Sequence, residues 1–243
     1  METISNNTIG SLVAANFKVA SVFKKFGIDF CCKGNRTIAE ACAGKKLDPE
    51  QVEQEILSVL KTGEATSIDY NSWPIDLLAD YIEKTHHRYV IEKIPELHFF
   101  LEKLCRVHGE RHPELFGIYK EFLTSAEELS MHMKKEENIL FPFIRQMVLA
   151  DNRPAILEEP HFMTVQNPIA MMMNEHEIEG GRFRDISEMS NGYTPPADAC
   201  TTYRVAFEML KDFEQDLHTH IHLENNILFP KAVKLEQELM VRV

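Results

Sequence analysis

No apolar run in these 243 residues approaches the roughly 18 that a membrane-spanning helix needs. Residues 1–11 carry no basic stretch followed by an apolar one, so no secretory signal is expected and the cytoplasm is the expected compartment. Positive charge is scarce: 26 Lys and Arg stand against 38 Asp and Glu, a net charge of −12. That balance argues against a nucleic-acid partner, whose phosphates draw basic surfaces. It suits equally a solvated acidic surface and a store of cation-binding carboxylates. Cysteines are few and odd in number (Cys31, Cys32, Cys42, Cys105, Cys200), which disfavours a disulfide framework. No period-two alternation marks a strand.

Helical patterning fills the chain, and the fold expected is all-α. Residues 8–26 have apolar side chains at helical spacing and stop at Gly27. Asp48-Pro49 reads as a helix start, with Gln51 completing a capping box ahead of Val52, Ile56, Val59 and Leu60. Residues 1–62 are expected to form a small helical domain, too short to be robust without its neighbour, and 63–73 a linker. Residues 74–243 should form an up-down four-helix bundle, with helices over about 74–108, 113–149, 166–189 and 197–237 and the segment 151–160 as a connection.

Inside the bundle the sequence repeats. Residues 132–142 (HMKKEENILFP) and 220–230 (HIHLENNILFP) share His-x-x-x-Glu-x-Asn-Ile-Leu-Phe-Pro, 88 positions apart. His87 precedes His132 by 45 residues and His176 precedes His220 by 44, so the first helix pair reads as a copy of the second. Four-residue spacing puts His132 with Glu136, and His220 with Glu224, on single helix faces. Leu129, Leu140 and Phe143 share the first face and Leu217, Leu228 and Ala232 the second, so both faces should point inward. Carboxylates and imidazoles directed into an apolar core are costly unless something neutralises them. A lone pair of this kind is usually a surface pair, but two copies in the same context point to metal. The donors His87, His132, Glu136, His176, His220 and Glu224 suit two octahedral-tending ions bridged by the glutamates; iron leads, manganese follows and zinc stays open.

These segments, with Glu175-His176 and the run Gly27-Ile28-Asp29-Phe30-Cys31-Cys32-Lys33-Gly34, strongly resemble the RIC (repair of iron centres) family of hemerythrin-like proteins with an ScdA-type amino-terminal domain. The resemblance covers about 5–235. It implies a bacterial cytoplasmic protein with two non-haem iron ions, oxo-bridged, that restores iron–sulfur clusters damaged by nitric oxide or peroxide, as an iron donor. The same six residues carry over as ligands, and the family's pattern selects His87, eight residues before Pro95, over His86. Implied partners are damaged iron–sulfur proteins or a cluster-assembly scaffold, and small molecules such as nitric oxide. A homodimer is a further expectation. The His-x-x-x-Glu helices depart from the His-x-x-x-His of dioxygen-carrying hemerythrins, which argues against reversible dioxygen carriage. A turnover enzyme at the same site (a nitric oxide reductase or peroxidase) and a gas or redox sensor stay open as rivals, although no output segment supports the sensor.

Cys31 and Cys32 are adjacent, so a disulfide between them would be strained and two free thiols are expected. They are candidates for a thiol relay; the plain alternative is a turn needing small residues beside Gly34. Cys42, Cys105 and Cys200 read as small core residues, and Met171, Met172 and Met173 as core packing. Glu175 and His108 match near-site positions of the family. His108, however, lies roughly 30 Å along an unbroken helix from His87, so a local role is expected. His86, His98, His112, His161, His218 and His222 are expected at the surface or in loops.

Overall fold

The computed structural model describes residues 4–61, 68–152 and 160–241. Four short helices come first: α1 (Ile9–Ala15), α2 (Val19–Lys25), α3 (Ile38–Ala43) and α4 (Pro49–Lys61). The single helix expected over 8–26 is broken at Asn16, whose side chain accepts the backbone N–H of Lys18 (3.1 Å) and turns the chain. Thr8 caps α1 by accepting from Ser11 N (3.2 Å). Thr37 and Glu40 close a capping box on α3, a helix absent from the sequence reading. Asp48 caps α4 through Glu50 N (3.0 Å) rather than through a box with Gln51. Of the expected linker, 63–67 lies outside the described residues, as does 153–159 of the connection after the second long helix.

Four long helices follow. α5 joins Ile75–Tyr81, a wide π turn Ile82–His87 and Arg88–His108. α6 joins Glu114–Lys135, a π turn Glu136–Leu140 and Phe141–Asn152. α7 is Gln166–Met189, and α8 joins Thr201–Leu223, a π turn Glu224–Leu228 and Phe229–Val241. They form an up-down bundle. Among the described residues there is no strand, only an isolated bridge between Thr8 and Thr37, and no helix is long and apolar enough to cross a membrane.

The repeated Asn-Ile-Leu-Phe-Pro accounts for two of the wide turns. Pro142 and Pro230 lack an N–H, and their rings crowd the carbonyls of Asn138 and Asn226 four residues earlier. The helix widens to accommodate this, so Phe141 N reaches back to Glu136 O and Phe229 N to Glu224 O. Each wide turn begins at the glutamate of the motif.

Two apolar clusters make up the core. One combines α1–α4 with the half of the bundle containing Leu97, Phe122, Phe183, Phe207 and Phe213. The other surrounds Leu78, Phe141, Met172, Leu228 and Phe229. The amino-terminal helices therefore share a core with the bundle. Between the clusters lies a layer of buried His and Glu, and every one of the six proposed ligands sits in it.

Candidate metal centre

All six side chains are buried, none more than 3% exposed. His87, Glu136, His220 and Glu224 converge as one set; His132, Glu136, His176 and Glu224 converge as another, so both glutamates belong to both sets. His87 Nε2 and His132 Nε2 each lie 3.3 Å from Glu136 Oε2. His176 Nε2 is 3.1 Å from Glu224 Oε2, and His220 Nε2 is 3.1 Å from Glu224 Oε1. Spacings of this kind match the edge of an octahedron with metal–ligand bonds of about 2.1 Å.

The orientation of these groups tests the fit further. Both oxygens of Glu136, both oxygens of Glu224, and Nε2 of His87 and His220 are buried without a hydrogen-bond partner. Within each set the donor atoms lie inside 4.8 Å of one another. His132 Nε2 and His176 Nε2 stand 3.0 Å apart, while the opposite ring nitrogens are engaged by Glu175 and Asn225. Two facing imidazole lone pairs at that distance need a shared cation or proton. The donor set therefore fits a pair of metal ions.

The backs of the rings are held in turn, as metal-ligating histidines generally are. His87 Nδ1 donates to Glu137 Oε1 (2.8 Å), His132 Nδ1 to Glu175 Oε2 (2.7 Å) and His176 Nδ1 to Asn225 Oδ1 (2.9 Å). Lys135 pairs with the other oxygen of Glu175. Glu175 thus lies between His132 and Lys135, at the edge of the donor sets. His220 Nδ1 alone has no partner; its ring stacks at 5.8 Å on His86.

Burial would lower the pKa of His132, but Glu136 and Glu175 outweigh it and raise it to about 10. His87 is raised in the same way, with burial opposed chiefly by Glu136. Burial pushes Glu224 up, yet His220 and His176 hold it well below the carboxylate range. At His220 burial wins and the pKa falls.

The Cys31–Cys32 turn docks directly against this layer. Asp29 Oδ1 accepts from the backbone N–H groups of Cys31 (3.1 Å) and Cys32 (3.0 Å), which fixes the turn. Both thiols are free, 3.7 Å apart. The Cys32 thiol donates to the backbone oxygen of His176 (3.3 Å). Gly180 on α7 leaves the room: a Cβ there would stand 2.9 Å from Cys32 Sγ. Asn225, having accepted from His176, donates through Nδ2 to Cys31 O (3.4 Å), and Asn226 Nδ2 reaches the same oxygen (3.2 Å). Gly10 and Gly34 let the backbone close over Asn226, since a Cβ on Gly34 would come within 2.6 Å of its Oδ1. Gly180 and Asn225 were not singled out in the sequence, and Asp29 and Asn226 appeared there only as members of motifs, without a role of their own. The departure of Asn225 from its repeat counterpart Glu137 was the available signal.

Several expectations need correction. His222 is fully buried and His218 half-buried, because Phe30 packs against both rings and Phe17 against His222. His86 is buried too, its Nδ1 2.8 Å from Asp216 Oδ1. His98 and His161 are exposed as expected, and His112 is half-buried at the turn before α6. Cys42 and Cys105 are buried, whereas Cys200 is exposed at the start of α8, beside His108 Nε2 (3.2 Å). His108 is thereby placed in a local contact away from the two donor sets. Of the three consecutive methionines only Met172 is core; Met171 and Met173 are exposed.

Comparison with known proteins agrees with this architecture. The ScdA_N family model, described as a domain of unknown function (DUF542), matches residues 5–60. The Hemerythrin HHE cation binding domain matches residues 79–232. Among similar proteins are those named iron-sulfur cluster repair protein YtfE from Yersinia pseudotuberculosis serotype IB (strain PB1/+) and Yersinia pestis (strain Pestoides F). Each is 34% identical over 231 residues, covering 95% of this chain and 98% of the relative. With a cation-binding bundle, an ScdA-type amino-terminal segment and relatives matched almost end to end, the chain belongs to the repair-of-iron-centres family.

Proposed function

We propose that the chain holds two iron ions, His87 and His220 serving one, His132 and His176 the other, with Glu136 and Glu224 bridging. In this reading it repairs iron–sulfur clusters damaged by nitrosative or oxidative stress in the cytoplasm, with iron as the cargo it delivers to a damaged protein or a cluster-assembly scaffold. The observation that carries the reading is the sharing of both glutamates by two four-residue donor sets. Mixed imidazole and carboxylate donors without thiolate suit iron, with manganese next. The repair role is supported by the names of the relatives.

When bound, the ions supply Lewis-acid and one-electron chemistry at a site that excludes bulk water. The chain's own residues do the rest. Glu137, Glu175 and Asn225 fix three imidazole tautomers so that Nε2 faces inward. The Cys31–Cys32 turn, held by Asp29 against the backbone of His176, would relay an ion or a nitrosyl to an acceptor through Cys32, the less buried of the two, because the neighbouring Cys32, burial and Asp29 push the Cys31 thiol well up.

Metal analysis and an absorption spectrum of the purified full chain test the core of the reading. Two irons per chain with oxo-bridge bands near the visible edge are expected; zinc alone in protein from iron-replete cells would overturn it. Reactivation of a nitric-oxide-damaged aconitase tests the role. A donor loses iron as the aconitase recovers, whereas repeated nitric oxide consumption with iron retained would favour the reductase. Cys31→Ser with Cys32→Ser should slow reactivation without lowering iron content; an unchanged rate would remove the relay.

A further inference from the structure

A cavity of about 410 Å³ opens between the amino-terminal helices and the bundle, on the side of α8 that carries His218 rather than the metal layer. Its size falls within the roughly 300–1,000 Å³ of small-molecule sites. Cys31 lies in its wall, and Lys24, Arg184 and Lys211 bring three cations to it in a chain whose net charge is −12. Arg184 is answered by Asp29 Oδ2 (3.2 Å). Lys211 has only a loose, exposed pair with Glu208 (3.8 Å).

Two features show that the cavity is built rather than incidental. Tyr193 is 8% exposed, yet its hydroxyl makes no hydrogen bond of ordinary geometry. The residue is delivered by a strained turn in which Asn191 (φ 50°), Gly192 (φ 64°) and Tyr193 (φ 59°) are successively left-handed. A tyrosine rarely adopts that conformation, and such strain concentrates at ligand sites. Glu214, also in the wall, is a half-buried carboxyl near Tyr193, Lys24 and Arg184, with no cation within ion-pair distance among the described residues.

We propose that this cavity binds a small zwitterionic thiol peptide. Its carboxylates would meet Lys24 and Lys211, its ammonium Glu214, its polar backbone the Tyr193 hydroxyl, and its sulfur would lie on the Cys31 side. A polycarboxylate chelator satisfies the lysines but leaves Glu214 facing like charge, which is why the zwitterion is preferred. The inference goes beyond the metal assignment and does not depend on it.

Calorimetric titration of the full-length, as-purified chain with reduced glutathione is the test, with N-acetylglutathione, S-methylglutathione and citrate as comparison probes. One glutathione per chain is expected, bound more tightly than any of the three. Lys24→Gln with Lys211→Gln should weaken it about tenfold or more and Tyr193→Phe about threefold, as lost charged and neutral hydrogen bonds do. Glu214→Gln should abolish the preference over N-acetylglutathione. Metal content and helical circular dichroism should be unchanged in each variant, and Lys33→Gln, a charge loss outside the cavity, should bind normally. No binding at millimolar glutathione, citrate binding as tightly, or an equal loss in Lys33→Gln would each overturn the proposal.

Discussion

The two copies of His-x-x-x-Glu-x-Asn-Ile-Leu-Phe-Pro have the same wide turn, the same inward glutamate and a phenylalanine stacked on the upstream histidine (Phe141 on His87, Phe229 on His176), yet they differ one residue after the glutamate. In the first copy that residue is Glu137, which braces His87. In the second it is Asn225, which braces His176 and also donates to the carbonyl of Cys31. A carboxylate can do the first of these tasks and not the second. The residue before each upstream histidine differs as well: Glu175 supports His132, while its counterpart His86 turns to Asp216 and leaves His220 Nδ1 without an acceptor. The copies are thus alike in the atoms aimed at the centre and unlike where the second copy carries the amino-terminal helices.

Removing a shared glutamate should do the most damage and should do it symmetrically. Glu136→Ala or Glu224→Ala withdraws a donor from both sets at once, so each variant is expected to lose most of its metal. The stability that metal binding lends the fold should go with it. Elemental analysis and thermal unfolding of both variants check this. If one variant keeps two ions while the other loses them, the glutamates are not equivalent bridges.

Much of this likeness between the copies is legible in the sequence. The repeat, the four long helices and the inward face carrying His132 and Glu136 follow from spacing alone, because a 3.6-residue period fixes which side chains share a face. What spacing cannot convey is a second buried face. α8 is covered on one side by the bundle and on the other by α1–α4, so His222 is buried although it points away from His220. The break at Asn16 and the short helix α3 escaped for a related reason: they depend on local side-chain caps, one at Asn16 and the Thr37–Glu40 pair, rather than on a long apolar period. The wide turns of α6 and α8 were encoded in Pro142 and Pro230, but they become visible only once each proline is paired with the carbonyl it crowds.

A smaller effect is expected behind one imidazole. Hydrogen bonding to His132, then to Lys135, holds Glu175 at about 2, and Glu136 and Glu175 raise His132 to about 10. Without metal, the contribution of Glu175 to stability is therefore present above about 4.5 and fades as pH falls towards 2. That of His132 is complete below about 6.5 and fades as pH rises through 10. Metal binding at pH 7 must expel the His132 proton, and a pH-stat should record its release. Glu175→Gln should lower metal affinity by about 10–100-fold and reduce the protons released. His86→Leu, which removes no hydrogen bond to a ligand ring and leaves an apolar side chain beside His220, should leave metal loading intact. Equal losses from both variants would show that the copies are braced alike after all.

The subtlest probe exchanges the residue that distinguishes the copies. Asn225→Asp keeps an acceptor for His176 Nδ1 but removes the donor to Cys31 O and sets a carboxylate against that carbonyl. Asn226 still reaches the same oxygen (3.2 Å), so the turn is weakened rather than freed. The cost should be about 1–3 kcal/mol, the usual penalty for an unmatched buried polar group, and it should fall on the docking of residues 29–34. Hydrogen exchange at Cys31, Cys32 and Lys33 would then quicken while exchange within α5–α8 stays slow. Metal content should hold, because the support of His176 survives. The reciprocal change Glu137→Gln keeps a side-chain oxygen for His87 and touches no part of the amino-terminal helices, so exchange at 29–34 should not move. If Glu137→Gln loosened that turn as much as Asn225→Asp, the divergence of the copies would have nothing to do with docking.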